Sequence, residues 1–244
     1  MKTEKAIIYD DNCPMCKWYT GAFVEANLLK SSNRISFSEL NDSPLAEQIE
    51  MQRSKHEIPL VDLDGGETIY GVDSLVHLLQ PKFPIIGKLM QVPTLSYLIR
   101  KIYKFISYNR GIMAPSYPSY RKYDCTPDFH LGYRALLVLF LGGLGSFLSY
   151  PTLSDFGILQ YSLAAGLGLL FLGFPFFKRH YLSYLGHISV VLFLVGLLLR
   201  IGHLIPLVEP LFLGSALVVF IWQYLRRYRI LQAQMNWKTQ EPKH

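Results

Sequence analysis

Two cysteines separated by two residues, Cys13-Pro14-Met15-Cys16, are the residues of this chain best suited to chemistry. They follow a short apolar run, Lys5-Ala6-Ile7-Ile8-Tyr9, that reads as a strand, and they precede a stretch over 17–29 that reads as a helix. A thiol at a helix N-terminus faces unpaired backbone N–H groups and the positive end of the helix dipole, and both favour the thiolate. The thiolate is the form that attacks disulfides. Pro14 suits the first helical position, where its missing N–H costs nothing. Cys13, nearer the helix end and expected to face solvent, is the candidate nucleophile. Cys16, one turn further in, is the candidate resolving thiol.

Other side chains bear on that pair. Asp10 stands three residues before Cys13. Its carboxylate is placed to raise the Cys13 pKa by repulsion, to accept a proton from Cys16, or simply to bond the loop backbone as turn aspartates do. Lys17 either favours the thiolate or is a solvated helix charge. A structural metal half-site is the rival use of the dithiol, with Cys125 and His130 as the remaining ligands. Their Cys-x4-His spacing is not a common zinc pattern. A lone cysteine before an apolar span is more often a small buried residue, and otherwise a place for a lipid. No metal or cofactor is expected.

The elements that must position the dithiol follow in order. Residues 34–37 form a second strand, 43–53 a helix with Pro44 in its first turn, and 58–63 a third strand opening on Pro59. Asp64-Gly65-Gly66-Glu67 signals a hairpin turn, 68–70 return as a fourth strand, and 73–80 close as a helix. This β-α-β-α-β-β-α order is the minimal thioredoxin or glutaredoxin arrangement. In such folds a cis proline before the third strand packs beside the cysteines and presents backbone to a substrate, and Pro59 holds that slot.

Residues Tyr9-Asp10-Asp11-Asn12-Cys13-Pro14-Met15-Cys16 resemble the signature of the DCC thiol–disulfide oxidoreductase family, an Asp-x-x-Cys-x-x-Cys motif matched by Asp10, Cys13 and Cys16. The aromatic stretch over 102–110, ending in Asn109-Arg110, resembles the segment that closes the family domain. The resemblance covers about residues 4–110 and implies a thioredoxin-like α/β fold with redox activity. Asp11 stands where that family commonly has Gly, a position at which Asp tolerates left-handed backbone better than most residues. A piece ending near residue 110 is expected to fold by itself.

Composition divides the 244 residues. Half of them are hydrophobic and 17% are charged, but after Tyr133 charges almost vanish inside four apolar runs, 135–150, 157–177, 182–199 and 204–225. A bilayer core needs about 20 apolar helical residues, so an α-helical transmembrane domain of four spans is expected. Lys and Arg alternate across its loops: Arg121, Lys122 and Arg134 before the first run, none over 150–156, Lys178 and Arg179 next, Arg200 alone, then Arg226, Arg227, Arg229, Lys238 and Lys243. That places both termini in the cytoplasm. Gly142, Gly145, Ala164 and Gly168 read as sites of close helix packing, and His187 and His203 as polar groups near the membrane interfaces. The N-terminus is too short in apolar residues to be a signal peptide. The +6 net charge lies largely at the membrane boundary and gives no reason to invoke nucleic acid.

The expected organisation is a redox domain over 1–110, a linker over 111–132, a transmembrane domain over 133–228 and a basic tail over 229–244. Leu95, Leu98, Ile99, Ile102, Phe105 and Ile106 recur at helical spacing. This stripe either packs on the redox domain or touches the inner leaflet of a bilayer. The expected function is a thiol–disulfide oxidoreductase anchored in the cytoplasmic membrane. Its partners are a protein carrying a thiol or disulfide, an external reductant and the lipid bilayer. The other readings are a membrane scaffold that binds a partner without turnover and, more weakly, a transporter with a redox sensor. The apolar runs carry no cysteine, so no thiol relay crosses the bilayer within this chain.

Overall fold

The computed structural model describes residues 4–119, 125–177 and 180–240. The chain divides into two compact units, residues 1–129 and 130–244.

In the first unit, alternating apolar residues build a sheet covered on both faces. Strand β1 (Lys5–Tyr9) pairs in parallel with β2 (Arg34–Ser36) and antiparallel with β3 (Pro59–Asp62). Strand β4 (Ile69–Tyr70) pairs antiparallel with β3, giving the order β2-β1-β3-β4. Successive strand side chains point to opposite faces. Ile8 and Val61 accordingly join Phe37, Leu40, Ile49 and Cys125 in one cluster. Ile7 and Leu60 join Leu29, Ile58 and Leu78 in the other. Helices α1 (Pro14–Glu25) and α3 (Val72–Leu79) serve the second cluster through Phe23, Val24 and Leu75.

Three expectations change here. The helix expected over 43–53 is a 3₁₀ turn, Pro44–Gln48, and a single α-turn, α2 (Met51–Ser54). Between them Ile49 is extended (φ −115°, ψ 124°) and 7% exposed. Seating that side chain in the core costs the helix its continuity. At the hairpin, Gly65 takes φ +86°, a conformation open to glycine at no steric cost. Asp11 needs no such freedom, because Asn27 alone among described non-glycine residues has positive φ. Finally, residues 125–129 belong to this unit. Cys125 is 5% exposed in the first cluster, and Asp128 Oδ2 lies 2.9 Å from His56 Nε2. The basic pair Arg121 and Lys122 lies outside the described residues.

Helices α4 (Pro84–Gln91) and α5 (Pro93–Met113) complete the unit. The buried residues of α5 are Ser107, Asn109, Arg110 and Ile112, whereas Leu98, Ile102 and Ile106 of the expected stripe are exposed. The face that packs on the domain is the one bearing Tyr103, Ser107 and Arg110. Tyr103 Oη accepts the Ile58 N–H at 3.0 Å, Ser107 Oγ donates to the His56 carbonyl, and Arg100 forks onto Asp73 at 2.7 and 2.9 Å.

The second unit is helical: α6 (Leu131–Asp155), α7 (Leu159–Phe177), α8 (Tyr181–His203) and α9 (Glu209–Gln240). Two of these are long and apolar enough to cross a membrane among the described residues, α6 and α8, rather than the four expected. The apolar part of α9 gives way after Ile221 and Trp222 to Gln223, Arg226, Arg227 and Arg229, too few apolar residues for a core crossing. That helix runs on through residues expected as tail, burying Ile230 and Leu231. Several side chains of α7, and the basic loop Lys178 and Arg179, lie outside the described residues. Helices α6 and α8 meet at Gly145 and Gly196: a Cβ on Gly145 would stand 2.6 Å from the Leu192 carbonyl carbon, and one on Gly196 would stand 2.4 Å from the Gly145 oxygen. Gly168 has open space around it and serves no such contact. His187 is 3% exposed with Nδ1 3.3 Å from Arg227 Nη1, and His203 Nδ1 lies 3.0 Å from Glu209 Oε1.

Candidate active site: the dithiol at the start of the first helix

The loop between β1 and α1 is built by its own side chains. Asp10 Oδ1 accepts the Asn12 N–H at 2.9 Å, and the Asp10 carbonyl accepts the Cys13 N–H at 3.2 Å. This is the turn role weighed for Asp10. Ser38 Oγ donates to Asp11 Oδ2 at 2.8 Å and ties the loop to the chain beyond β2. Cys13 is the N-cap of α1 with Pro14 in the first turn, and its Sγ accepts the Cys16 N–H at 3.3 Å. Thr20 Oγ1 donates to the Cys16 carbonyl at 2.7 Å and accepts from Arg34 Nε at 2.9 Å, which fixes that first turn.

Both cysteines are free thiols and both are buried. Cys13 is 6% exposed and Cys16 3%, so the solvent-facing nucleophile expected at the helix end is mostly covered. The chain beyond α5 returns to this loop, where Asn12 Nδ2 donates to the Tyr117 carbonyl at 3.0 Å. The two thiols have opposite acidities. The Cys13 pKa is lowered to about 7, first by its side-chain hydrogen bond with Cys16, with burial opposing and Arg110 assisting. The Cys16 pKa is raised far above the ordinary thiol range, first by that same bond and then by burial. One proton shared between two sulfurs favours the thiolate at Cys13, and the buried Cys16 retains it. Tyr19, beside Cys16, has its pKa raised by burial first and by the neighbouring thiol second.

Arg110 is the site residue that motif reading missed. It lies on the buried face of α5, 9% exposed, with Nη2 3.4 Å from Asp10 Oδ2 and donating to the Cys125 carbonyl. Burial works to lower its pKa, yet Cys16, Asp10 and Cys13 beside it hold the value above the ordinary one. Its positive charge answers the Asp10 carboxylate, whose repulsion is the smallest of the influences on Cys13. The sequence does carry a signal for it. Tyr103, Ser107 and Arg110 stand at i, i+4 and i+7, on one side of a helix, and an arginine on a buried face requires a partner.

Pro59 is placed differently from expectation. It is buried at the start of β3 opposite Tyr70, but the Ile58–Pro59 bond is trans. Nor is the Ile58 backbone offered to a substrate. Its N–H goes to Tyr103 Oη, and its carbonyl accepts from the Gly71 N–H at 2.9 Å and from Ser74 Oγ at 3.0 Å. Helix α5, Gly71 and Ser74 of α3 therefore occupy the hydrogen bonds that an extended partner would use. Cys125 sits in the apolar cluster with Ile8 and Val61, and His130 Nδ1 caps α6 by accepting the Tyr133 N–H at 3.3 Å.

A mixed four-stranded sheet with a dithiol at the N-terminus of its first helix, one sulfur acidic and one basic, is the equipment of a thiol–disulfide oxidoreductase. The family model for DCC1-like thiol-disulfide oxidoreductase matches residues 7–113. No curated protein and no solved structure matches the chain.

Proposed function

We propose that the protein is a membrane-anchored thiol–disulfide oxidoreductase whose dithiol works on the cytoplasmic side, with Cys13 as nucleophile and Cys16 as resolving thiol. The observation that carries this reading is the 3.3 Å bond from the Cys16 N–H to Cys13 Sγ at the N-cap of α1, in a match to an oxidoreductase family. The Cys13 thiolate attacks one sulfur of a partner protein's disulfide. An S–S bond forms to Cys13, and the second partner sulfur leaves as a thiolate that takes up a proton. Cys16 then loses its proton and attacks Cys13 Sγ, releasing the remaining partner thiol. The partner gains two electrons, Cys13–Cys16 becomes a disulfide, and an external dithiol reductant returns it to the reduced state. Asp10 shapes the loop and balances Arg110, while Pro59 opens β3 opposite Tyr70.

Anchoring is supported by α6, whose Leu139 and Phe147 are 74% and 75% exposed, and by α8. Apolar faces of that length are stable in lipid and poorly so in water. Arg134 at the start of α6 and Arg226, Arg227 and Arg229 in α9 favour the cytoplasmic side for both termini.

The low exposure of Cys13 favours keeping a second reading, a membrane scaffold whose redox domain binds a partner without turnover. Trapping separates them. A Cys16→Ser variant of the full chain should hold a partner as a mixed disulfide on Cys13, released by dithiothreitol. A Cys13→Ser, Cys16→Ser variant that keeps full function, with nothing trapped by the single variant, would establish the scaffold.

A further inference from the structure

Helices α4 and α5 leave an apolar face uncovered. Phe83, Ile85 and Leu89 on and just before α4, and Leu98, Ile102 and Ile106 on α5, are each at least 36% exposed. Leu98, Ile102 and Ile106 follow at i, i+4 and i+8 and form one row. The row bearing Tyr103, Ser107 and Arg110 faces the domain instead. The Arg100–Asp73 fork holds the helix in that rotation, so the apolar row is held outward by the fold.

The charge carried by these two helices has one sign. Lys88, Lys101 and Lys104 are exposed on the same two helices. No Asp or Glu occurs between Asp73 and Asp124, a stretch that carries eight Lys and Arg. A second copy of this face would meet it with like charge. A surface of negative charge over hydrocarbon meets both of its properties, because an amphipathic helix with basic flanks settles its apolar side at the boundary of headgroup and acyl chain. The same chain enters its first apolar helix at Leu131, eighteen residues after α5 ends at Met113.

We infer that the exposed apolar row of α4 and α5, with Lys88, Lys101 and Lys104, seats the redox domain on an anionic lipid surface. This inference rests on the proposed membrane anchoring and adds a second, peripheral contact to it. That contact holds the domain in a defined orientation on the leaflet.

Photocrosslinking in vesicles tests it on the full chain. A benzophenone amino acid is placed at position 102, at position 139 on α6 as a reporter of anchoring, and at position 67 in the exposed hairpin as a solvent reporter. In vesicles rich in phosphatidylglycerol, position 102 should crosslink to lipid and position 67 should not. Phosphatidylcholine vesicles, or the combined Lys88→Glu, Lys101→Glu and Lys104→Glu variant, should lower the yield at 102 by about fivefold or more and leave 139 unchanged. Lipid crosslinks at 139 with none above the position-67 level at 102 would overturn the inference alone. Crosslinks from 102 to a second copy or to another protein would also overturn it. Absence of lipid crosslinks at 139 would remove the anchoring and this inference with it.

Discussion

Arg110 Nη2 and Asp10 Oδ2 stand 3.4 Å apart across 100 residues of sequence, with both side chains 11% exposed. This pair closes the domain around its dithiol. It ties the end of α5 to the loop before Cys13, and it sets a guanidinium beside two sulfurs, one of which must carry negative charge. The hydrogen bond between the thiols is the largest influence on the acidity of Cys13; Arg110 adds to it, and Asp10 opposes it more weakly.

Removing that charge should therefore raise the Cys13 pKa moderately. Iodoacetamide rates measured against pH should show an apparent pKa near 7 for the native chain, falling about tenfold per pH unit below it. Arg110→Gln should move the profile up by about 1 unit, equivalent to about 1.4 kcal/mol, and Arg110→Lys by less. An unmoved profile in Arg110→Gln would show that the guanidinium only braces the fold.

The bond between the thiols should matter more than the Arg110 charge. Cys16→Ala removes the side-chain donor, whereas Cys16→Ser keeps a hydroxyl that donates to the Cys13 sulfur. The Cys13 pKa should rise towards 9 in the alanine variant and stay lower in the serine one. Mass-spectrometric labelling at pH 7 should find Cys13 alkylated ahead of Cys16 and Cys125 in the native chain, as thiolate content outweighs the small difference in exposure.

Tyr103 supplies the acceptor for the Ile58 N–H at the head of β3. Tyr103→Phe leaves that donor without its partner, which should cost about 1–3 kcal/mol. Urea unfolding of the redox domain should register the loss. A neutral result would mean that solvent reaches Ile58 in the variant.

The first compact unit extends beyond residue 110, to Phe129. A fragment ending at Phe129 keeps Cys125 in the core, the Arg110 bond to the Cys125 carbonyl and the Asp128 pairing with His56. A fragment ending at Arg110 loses all three. The longer fragment should unfold at a clearly higher temperature in scanning calorimetry, and equal midpoints would show that the extension is dispensable.

Gly145→Leu or Gly196→Leu should separate α6 from α8, since even a Cβ meets backbone at either position. A loss of about 1–3 kcal/mol or more is expected from such overpacking. Gly168→Ala, in open space, is the control that should change nothing. Thermal aggregation in detergent reports the difference.

The dithiol, its place at a helix start, the four strands in succession along the chain and the apolar second half were legible in the chain itself. Each is set by local pattern: a Cys-x-x-Cys pair with proline in the first turn, strands alternating with period 2, and long runs without charge. Contacts distant in sequence decided the rest. Arg110 reaches Asp10 because Tyr103 and Ser107 dictate which side of α5 is buried, and that choice turned the apolar stripe outward. Ile58 gives its backbone to Tyr103, Gly71 and Ser74, pairings that no residue spacing discloses. Ile49 broke a helix because a core cluster contributed by five separate segments required its side chain. Acidity followed the same division: the motif proposes a reactive thiol, while the bond between two buried sulfurs and the charge brought from α5 determine which cysteine holds the proton.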